Sequence, residues 1–188
     1  MKKVIFLILG ILTVGILYSF AAGAAYEKTQ PGVFEVKTLP AGKLLEAKME
    51  EGAYFDSSNT LFRPLFRYIS NNSISMTVPV EAKMDPGAMY FWVDPSEEEK
   101  AASDTSNVAV LEVPERVVAS LGYRGRYTES NYMEVKAALV ERLNNRDDLK
   151  MIGEPYCVFW NSPMMPGFLK TFEVQVEIEQ IAAKSVAP

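Results

Sequence analysis

The chain has 188 residues, of which 48% are hydrophobic and 23% are charged, a composition typical of one globular domain. Its formal net charge is −5 and it has no basic run beyond residue 25, which argues against nucleic-acid binding. It contains no histidine and a single cysteine, Cys157. These counts exclude an intrachain disulfide, a Cys/His zinc site, a histidine-dependent catalytic triad and a heme iron held by histidine.

The first 25 residues have the pattern of an export signal. A Lys2-Lys3 pair precedes the uncharged apolar run Val4–Phe20, and Ala22-Gly23-Ala24 matches an A-x-A cleavage site. Uncharged residues continue to position 25, so the segment is also long enough to cross a bilayer as an uncleaved anchor. Both alternatives predict an exported, periplasmic or otherwise extracytoplasmic protein, either soluble or held in the membrane through residues 4–25.

After a linker predicted at residues 26–33, the first half reads as a ribbon, a helix and two strands. The ribbon covers Phe34–Lys48, and the helix has apolar residues at helical spacing from Leu61. Pro64 lies inside this helix and predicts a late start or a kink. The candidate caps are Ser57, Ser58 and Asn59. The further predicted elements are an extended run at Ile74–Val80, a turn at 82–88, a buried strand at Met89–Val93 and a solvated connector at 95–107.

The second half follows the same order. Its helix has a cap at Thr128 or Ser130 and ends at Asn144-Asn145. In the last strand, alternation places Val174, Val176 and Ile178 in the interior with Phe172, and Glu173 on the opposite face. The predicted strands are Val108–Val113, Val117–Tyr123, Tyr156–Trp160 and Phe172–Ile178, with a Pro/Met loop at Asn161–Phe168.

Three strings together resemble the SOUL heme-binding family. Ile74–Val80, which follows a helix ending in Tyr68-Ile69, resembles that family's I-x-M-T-x-P-V string. Ser162–Phe168 is similar to its P-P-F/M-x-P loop, and Val117–Gly125 to its V-A-x-x-x-F-x-G strand. The order and spacing of the three strings also match. The chain departs from the family at Lys170–Val174, where the family usually reads R-R-N-E-V.

The resemblance implies an α+β domain over residues 34–182, followed by a tail at 183–188. Its expected architecture is a twisted antiparallel eight-stranded barrel made of two pseudo-repeated halves, with two helices packed outside. An N-terminal apolar helix would precede the barrel. The two halves have no residue-level identity, so the repeat is predicted at the level of architecture only.

The resemblance also implies a binding site for heme or a porphyrin, a small hydrophobic anionic ligand, in a shallow groove beside the first helix and the Pro/Met loop. A flat macrocycle requires apolar faces and conforming methionines, and its propionates require cations. Each of these residues could instead serve only the packing or the solvated surface of the domain. The matching positions are Phe62, Arg63, Leu65, Phe66, Arg67, Met164, Met165 and Lys170.

Iron ligation is open, since the remaining candidate ligands are methionine, tyrosine, lysine and Cys157. Cys157 lies in an apolar strand, which predicts a buried, unreactive thiol, and Met76 lies in the signature string, which favours a core position. Porphyrin binding without strong discrimination for iron is therefore expected.

Three alternatives remain, one of which is an interaction protein of the cell envelope that binds no small ligand. The related GyrI-like barrels bind other small molecules, and some of them use a buried glutamate. An enzyme on this scaffold would use Glu173 with Tyr90, Tyr123 or Tyr156 as an acid/base set, although the alternation of the last strand points Glu173 away from the interior.

Overall fold

The computed structural model describes residues 23–181, which form an α+β domain built on one curled antiparallel sheet. The N-terminal apolar helix predicted within residues 1–25 and the tail at 183–188 lie outside the described residues. The strands are β1 Phe34–Leu39, β2 Gly42–Lys48, β3 Val80–Lys83, β4 Ala88–Trp92, β5 Ala109–Val113, β6 Arg116–Arg124, β7 Leu149–Met151, β8 Tyr156–Phe159 and β9 Thr171–Gln180.

Eight strands follow one another across the sheet in the order β1-β6-β9-β8-β3-β4-β2-β5. The short strand β7 pairs with the end of β9. β3 and β8 meet at the middle, and β1 and β5 form the two edges, so the sheet is a half-barrel. The predicted antiparallel architecture is confirmed at this level, and a repeat between the two halves stays a prediction.

Two α-helices cover one face of the sheet. Helix α1, Tyr54–Asn71, packs on β2 and β4, and helix α2, Glu129–Asn144, packs on β6, β7 and β9. Residues of α1 at positions 61, 65 and 69 are buried, the spacing that brings side chains to one face of a helix. The Thr128 hydroxyl accepts a hydrogen bond from the amide of Asn131, which confirms one of the two predicted caps of α2.

Helix α1 begins earlier than the sequence predicts. It starts at Tyr54, and its backbone leaves helical geometry at Ser57, where φ is −148° and ψ is 31°. The break therefore lies at one of the three candidate caps and not at Pro64, and the helical segment that follows continues through the proline. The polar residues around Ser57 hid the first helical turn, because they are typical of a loop or a cap.

The signature string Ile74–Val80 is extended but is not a strand of the sheet over its whole length. Sheet pairing begins at Val80 and continues to Lys83, inside the stretch predicted as a turn. Earlier in the string, the Val78 carbonyl accepts a hydrogen bond of 2.8 Å from the amide of Ala25. The string thus connects the sheet to the segment that precedes β1.

That segment, residues 24–31, crosses the sheet face opposite the helices and is called the strap below. Ala24 bridges to Val78 at one end, and Pro31 bridges to Gly122 of β6 at the other. Residues 26–33 were interpreted from the sequence as a linker, but here they lie against the sheet. The segment contains turn-forming residues and lacks an alternation of apolar and polar residues, so its sequence does not predict this packing.

A second wall therefore covers the sheet, and strands at its centre are buried on both faces. Thr171–Val176 of β9 is buried without interruption. Within residues 23–181, none of the helices is long and apolar enough to reach across a membrane.

Gly122 allows the close approach of the strap, and an alanine there tests it. An added Cβ would lie 2.3 Å from the backbone carbonyl oxygen of Gln30, so the strap would have to move. We expect Gly122→Ala to lower the free energy of unfolding by roughly 1–3 kcal/mol, measured by urea denaturation. Gly153→Ala is the control, since its Cβ would have no atom nearer than 3.9 Å. Equal stability of the two variants would contradict the close approach.

Candidate functional site

The sheet face under the strap carries a group of polar and aromatic side chains that meet at its centre. Glu81 of β3 and Glu173 of β9 both pair with Val158 of β8, so the two carboxylates lie on one line across three strands. Paired residues in a sheet point to the same face. Trp92 of β4 and Trp160, just after β8, flank this line on the same face.

Glu173 is fully buried and its carboxylate is surrounded by donors. Lys37 of β1 makes an ion pair of 2.8 Å with it. A buried carboxylate requires this many partners, because burial without them would favour its neutral form. Oε1 accepts from the Thr29 amide and Trp160 Nε1, each at 2.7 Å, and Oε2 accepts from Lys37 Nζ at 2.8 Å, Ser120 Oγ at 2.7 Å and Gln175 Nε2 at 2.6 Å.

The alternation predicted for β9 is confirmed. Val174, Val176 and Ile178 are buried with Phe172 on the helix side, and Glu173 points to the opposite face. The sequence offered no sign that this opposite face is also covered. The strap provides the cover, so Glu173 is buried although it points away from the helix-side core.

Glu81 is the second buried carboxylate, and the sequence analysis missed it. Arg116 donates to both of its oxygens, at 3.1 and 2.9 Å, while Trp92 Nε1 donates at 2.8 Å and the Tyr26 hydroxyl at 3.0 Å. Burial raises the pKa of Glu81 above its ordinary value of 4.5, and Arg116 with the hydrogen bonds from Trp92 and Tyr26 offsets part of that rise. The only feature of the sequence that points to this buried carboxylate is an acidic residue between two apolar ones, Val80 and Ala82.

Tyr26 of the strap stands between the two tryptophans of the chain. Its ring makes edge contacts with Trp92 and with Trp160, each at 5.7 Å between ring centroids. Lys37 Nζ lies 5.2 Å from the centre of the same ring. Burial, together with the nearby negative charge of Glu81, raises the pKa of the Tyr26 hydroxyl well above its ordinary value of 10.0. The hydroxyl is therefore a hydrogen-bond donor at all physiological pH values.

An open pocket of about 480 Å³ lies alongside Tyr26. Residues of the strap and Trp160 line it together. The residues that line the pocket are Ala24, Tyr26, Glu27, Lys28, Gln30 and Trp160.

The helix residues predicted to bind a ligand lie on the other face of the sheet. Phe62 and Phe66 of α1 stack at 5.6 Å between ring centroids, and Phe62 also contacts Phe91 of β4. Phe66 is 49% exposed, whereas Leu65 is fully buried and packs the helix on the sheet. The flanking Arg63 and Arg67 are exposed.

The predicted Pro/Met loop follows β8 and is rich in exposed apolar side chains. Met164 is 93% exposed and Phe168 is 73% exposed, while Met165 is half-buried. Lys170 Nζ donates to the Pro163 carbonyl oxygen at 2.9 Å and lies 4.8 Å from the centre of the Tyr127 ring. Phe168 was not among the predicted site residues, although its place in the loop is a signal of the same kind as that of Met164.

One strand separates the helix residues from the loop residues. Val80 of β3 pairs with Phe91 on one side and with Phe159 on the other. Phe62 contacts Phe91, and the Tyr127 ring lies 4.5 Å from that of Phe159. Two strand spacings amount to about 10 Å, and Val80 between them is only half-buried. Phe62, Phe66, Val80, Tyr127 and Met164 are called the apolar shelf below.

Metal ligation has few candidates in this structure. The thiol of Cys157 is buried, as its strand predicted, and burial raises its pKa well above the ordinary value of 9.0. Met76 is half-buried and packs against the core. Residues 23–181 contain no cluster of three or more histidine, cysteine, aspartate or glutamate side chains suited to a metal ion.

Comparison with protein families identifies the chain. The family model described as SOUL heme-binding protein matches residues 23–177, which is most of the sequence. The protein therefore belongs to the SOUL heme-binding protein family. No curated protein gives a significant match to the sequence.

Solved structures share the fold at low sequence identity. The chain matches EcmrR, in the cryo-EM structure of its complex with DNA, at a TM-score of 0.62 and 12% identity, covering 96% of this chain and 68% of that one. It matches the EcmrR C-terminal domain at 0.60 and 12%, covering 79% and 98%. A hydrolase from Listeria innocua matches at 0.54 and 11%, covering 80% and 94%. These likenesses extend to the fold alone.

The raised pKa of Glu81 predicts a pH dependence of stability. Above pH 4.5 the folded state retains a proton that the unfolded state releases, so this contribution is complete below pH 4.5 and is lost as pH rises through the folded pKa. We expect the unfolding free energy of the wild type to decline with pH over that range, and Glu81→Gln to remove the decline. Urea denaturation from pH 4.5 upward measures both.

Glu177→Gln is the matched control, since Glu177 of β9 is exposed and lies on the same face of the sheet as Glu81. It should leave the decline in place. Asp94, Glu97 and Asp148 do not interfere, because hydrogen bonds from Ser96, Lys100 and Arg146 respectively hold their pKa values below the ordinary range. Parallel curves for the wild type and Glu81→Gln would contradict the assignment.

Proposed function

We propose that the protein binds heme or a related tetrapyrrole on the apolar shelf. The observation that carries the proposal is the half-buried Val80, which leaves an apolar floor open between the aromatic residues of α1 and those beside the Pro/Met loop. The strands that flank β3 lie about 10 Å apart, a width comparable to that of a macrocycle face. Membership of the SOUL heme-binding family supports the same ligand class.

The side chains around the shelf suit a flat anionic ligand. Phe66 and Met164 expose apolar surface that would cover the faces of the ring. Arg67 and Lys170 supply cations for the propionates, and Arg126 adds a third, because its side chain lies against Gly167 of the loop. Such a surface recognises the shape and charge of the ligand, and the ring atoms do not need a metal for that recognition.

Iron coordination would make a small contribution to this binding. The chain has no histidine, and its one thiol is fully buried. Met164 and Met165 are the soft donors at the loop, and thioethers are weak ligands for heme iron compared with imidazole or thiolate. The residues therefore fit the macrocycle better than they fit its metal. Hemin and iron-free protoporphyrin should bind with similar affinity.

The biological role that fits such a site is that of a carrier, buffer or scavenger rather than an enzyme. The five donors on Glu173 occupy both of its oxygens, so it has no free lone pair to act as a general base while the strap is seated. An apolar shelf with cations at its rim provides binding without a reactive group.

Titration with porphyrins tests the shelf. Phe66→Ala removes half-exposed aromatic surface, and we expect hemin affinity to fall about tenfold, since partial burial of a ring contributes free energy of that order. The change in Soret absorbance measures the affinity, and protoporphyrin should follow the same trend. Both ligands should bind to the wild type at micromolar concentration.

The control is Met133→Ala on α2, a side chain that is 52% exposed and lies outside the shelf. It should bind hemin as the wild type does. Failure of the wild type to bind either porphyrin would overturn the proposal and favour a GyrI-like module for a different small molecule. An equal effect of the two variants would place the ligand elsewhere.

We further propose that the protein is exported, with Ala22-Gly23-Ala24 as the processing site. Intact-mass measurement of the protein recovered from cells should give a chain that begins at Ala25. A mass that includes the apolar run would instead indicate an anchor that keeps the domain at the membrane. Recovery of the protein in the cytoplasm would contradict export altogether.

A further inference from the structure

The strap places one tyrosine in a site that has the properties of a ligand pocket. The Tyr26 ring fills the space between Trp92 and Trp160, and its hydroxyl donates to the buried carboxylate of Glu81. These three contacts, two aromatic edges and one charged acceptor, are those by which pockets hold small aromatic ligands. The space between the two indoles, with Glu81 at its base, is called the tyrosine slot below.

Most of the strap's attachment comes from side chains. Its backbone is held near its two ends, where the Ala25 amide donates to the Val78 carbonyl oxygen and Pro31 bridges to Gly122. Between these points Lys37 Nζ donates to the Glu27 carbonyl oxygen and to the Thr29 hydroxyl, at 2.9 and 2.8 Å. The open pocket of about 480 Å³ alongside shows that solvent reaches the slot from one side. A segment held in this way can open without unpairing a strand of the sheet.

The charges beside the slot define the kind of molecule that fits. Arg116 pairs with Glu81 and Lys37 pairs with Glu173, so each buried carboxyl group has its own cationic partner. The balance favours a neutral ligand, because an added charge would have no partner in this buried place. The Glu81 oxygen that accepts from Tyr26 also accepts from Trp92 and Arg116, so it loses one of three donors when the tyrosine leaves, and a ligand hydroxyl would replace that donor.

We propose that the tyrosine slot is a second ligand site, for a small neutral planar aromatic that carries a hydroxyl donor, and that the strap closes it with Tyr26 as the internal occupant. This site lies on the opposite face of the sheet from the apolar shelf. It differs from the shelf in its ligand, since a tetrapyrrole is larger and anionic. The ligand class is that of simple phenols.

The probe is p-cresol, which is the tyrosine side chain without its backbone. The chain has two tryptophans, and both contact Tyr26, so tryptophan fluorescence reports on the slot directly. We expect Tyr26→Ala to bind p-cresol at least about tenfold more tightly than the wild type, with a saturable fluorescence change. Toluene lacks the hydroxyl and should bind to the variant about tenfold more weakly than p-cresol.

Tyr26→Phe provides the second variant in case the alanine variant does not fold. It keeps the ring but loses the hydrogen bond to Glu81, so the strap should compete less well and p-cresol should bind more tightly than to the wild type. Tyr68→Ala is the control for cavity filling, because Tyr68 is a buried tyrosine of α1 whose hydroxyl donates to the Ser103 carbonyl oxygen. Calorimetry should show that p-cresol binds to Tyr68→Ala more weakly than to Tyr26→Ala.

Two results would overturn the proposal. One is an affinity for p-cresol that is equal in the wild type, Tyr26→Ala and Tyr26→Phe. The other is binding to Tyr68→Ala as tight as to Tyr26→Ala, with toluene equal to p-cresol, because a generic cavity would then explain the data. Hemin binding should be the same in all these variants. A failure of the tyrosine-slot proposal can therefore be distinguished from a failure of the apolar-shelf proposal.

Discussion

The pairing of buried carboxylates with cations at the centre of the sheet is the constraint on which the other features depend. Glu81 and Glu173 stand on β3 and β9, one on each side of β8, with both faces of the sheet covered, and an unpaired charge there would cost several kcal/mol. Arg116 and Lys37 supply the counter-charges from β6 and β1. Strands from both halves of the sheet therefore contribute to one polar cluster, and the strap completes it with the Thr29 amide and the Tyr26 hydroxyl.

The two faces of the sheet differ in chemistry, apolar on the helix side and polar on the strap side, and β3 contributes one residue to each. Val80 faces the helices and forms the floor of the apolar shelf, whereas the next residue, Glu81, faces the strap. Successive residues of a strand point to opposite sides, so both candidate sites share one short backbone segment. The family string ends at Val80, at the junction between these sites.

The sequence predicts the regular elements well because their periodicity is local. The alternation of Phe172, Val174 and Val176, and the Thr128 cap of α2, are set by neighbours in the chain. The family resemblance suggested Phe62, Phe66 and Met164 of the shelf, whereas Val80 and Tyr127 were not among the predicted site residues. The tyrosine slot was not predictable, because Tyr26, Glu81, Trp92 and Trp160 lie on four separate segments and a single acid such as Glu81 shows no periodic pattern. A strap without a repeat cannot be distinguished from a linker until the surface beneath it is known.

The contact between the strap and Gly122 sets the true beginning of the folding unit. Phe34 is the first residue of the sheet, and a polypeptide that started there would keep all nine strands and both helices. It would nevertheless lose the amide that binds Glu173 and the phenol that binds Glu81, and water would enter between Trp92 and Trp160. The eight-residue strap, which has no helix or strand, thus acts as a core element, and the minimal autonomous domain extends upstream of Phe34 to include it.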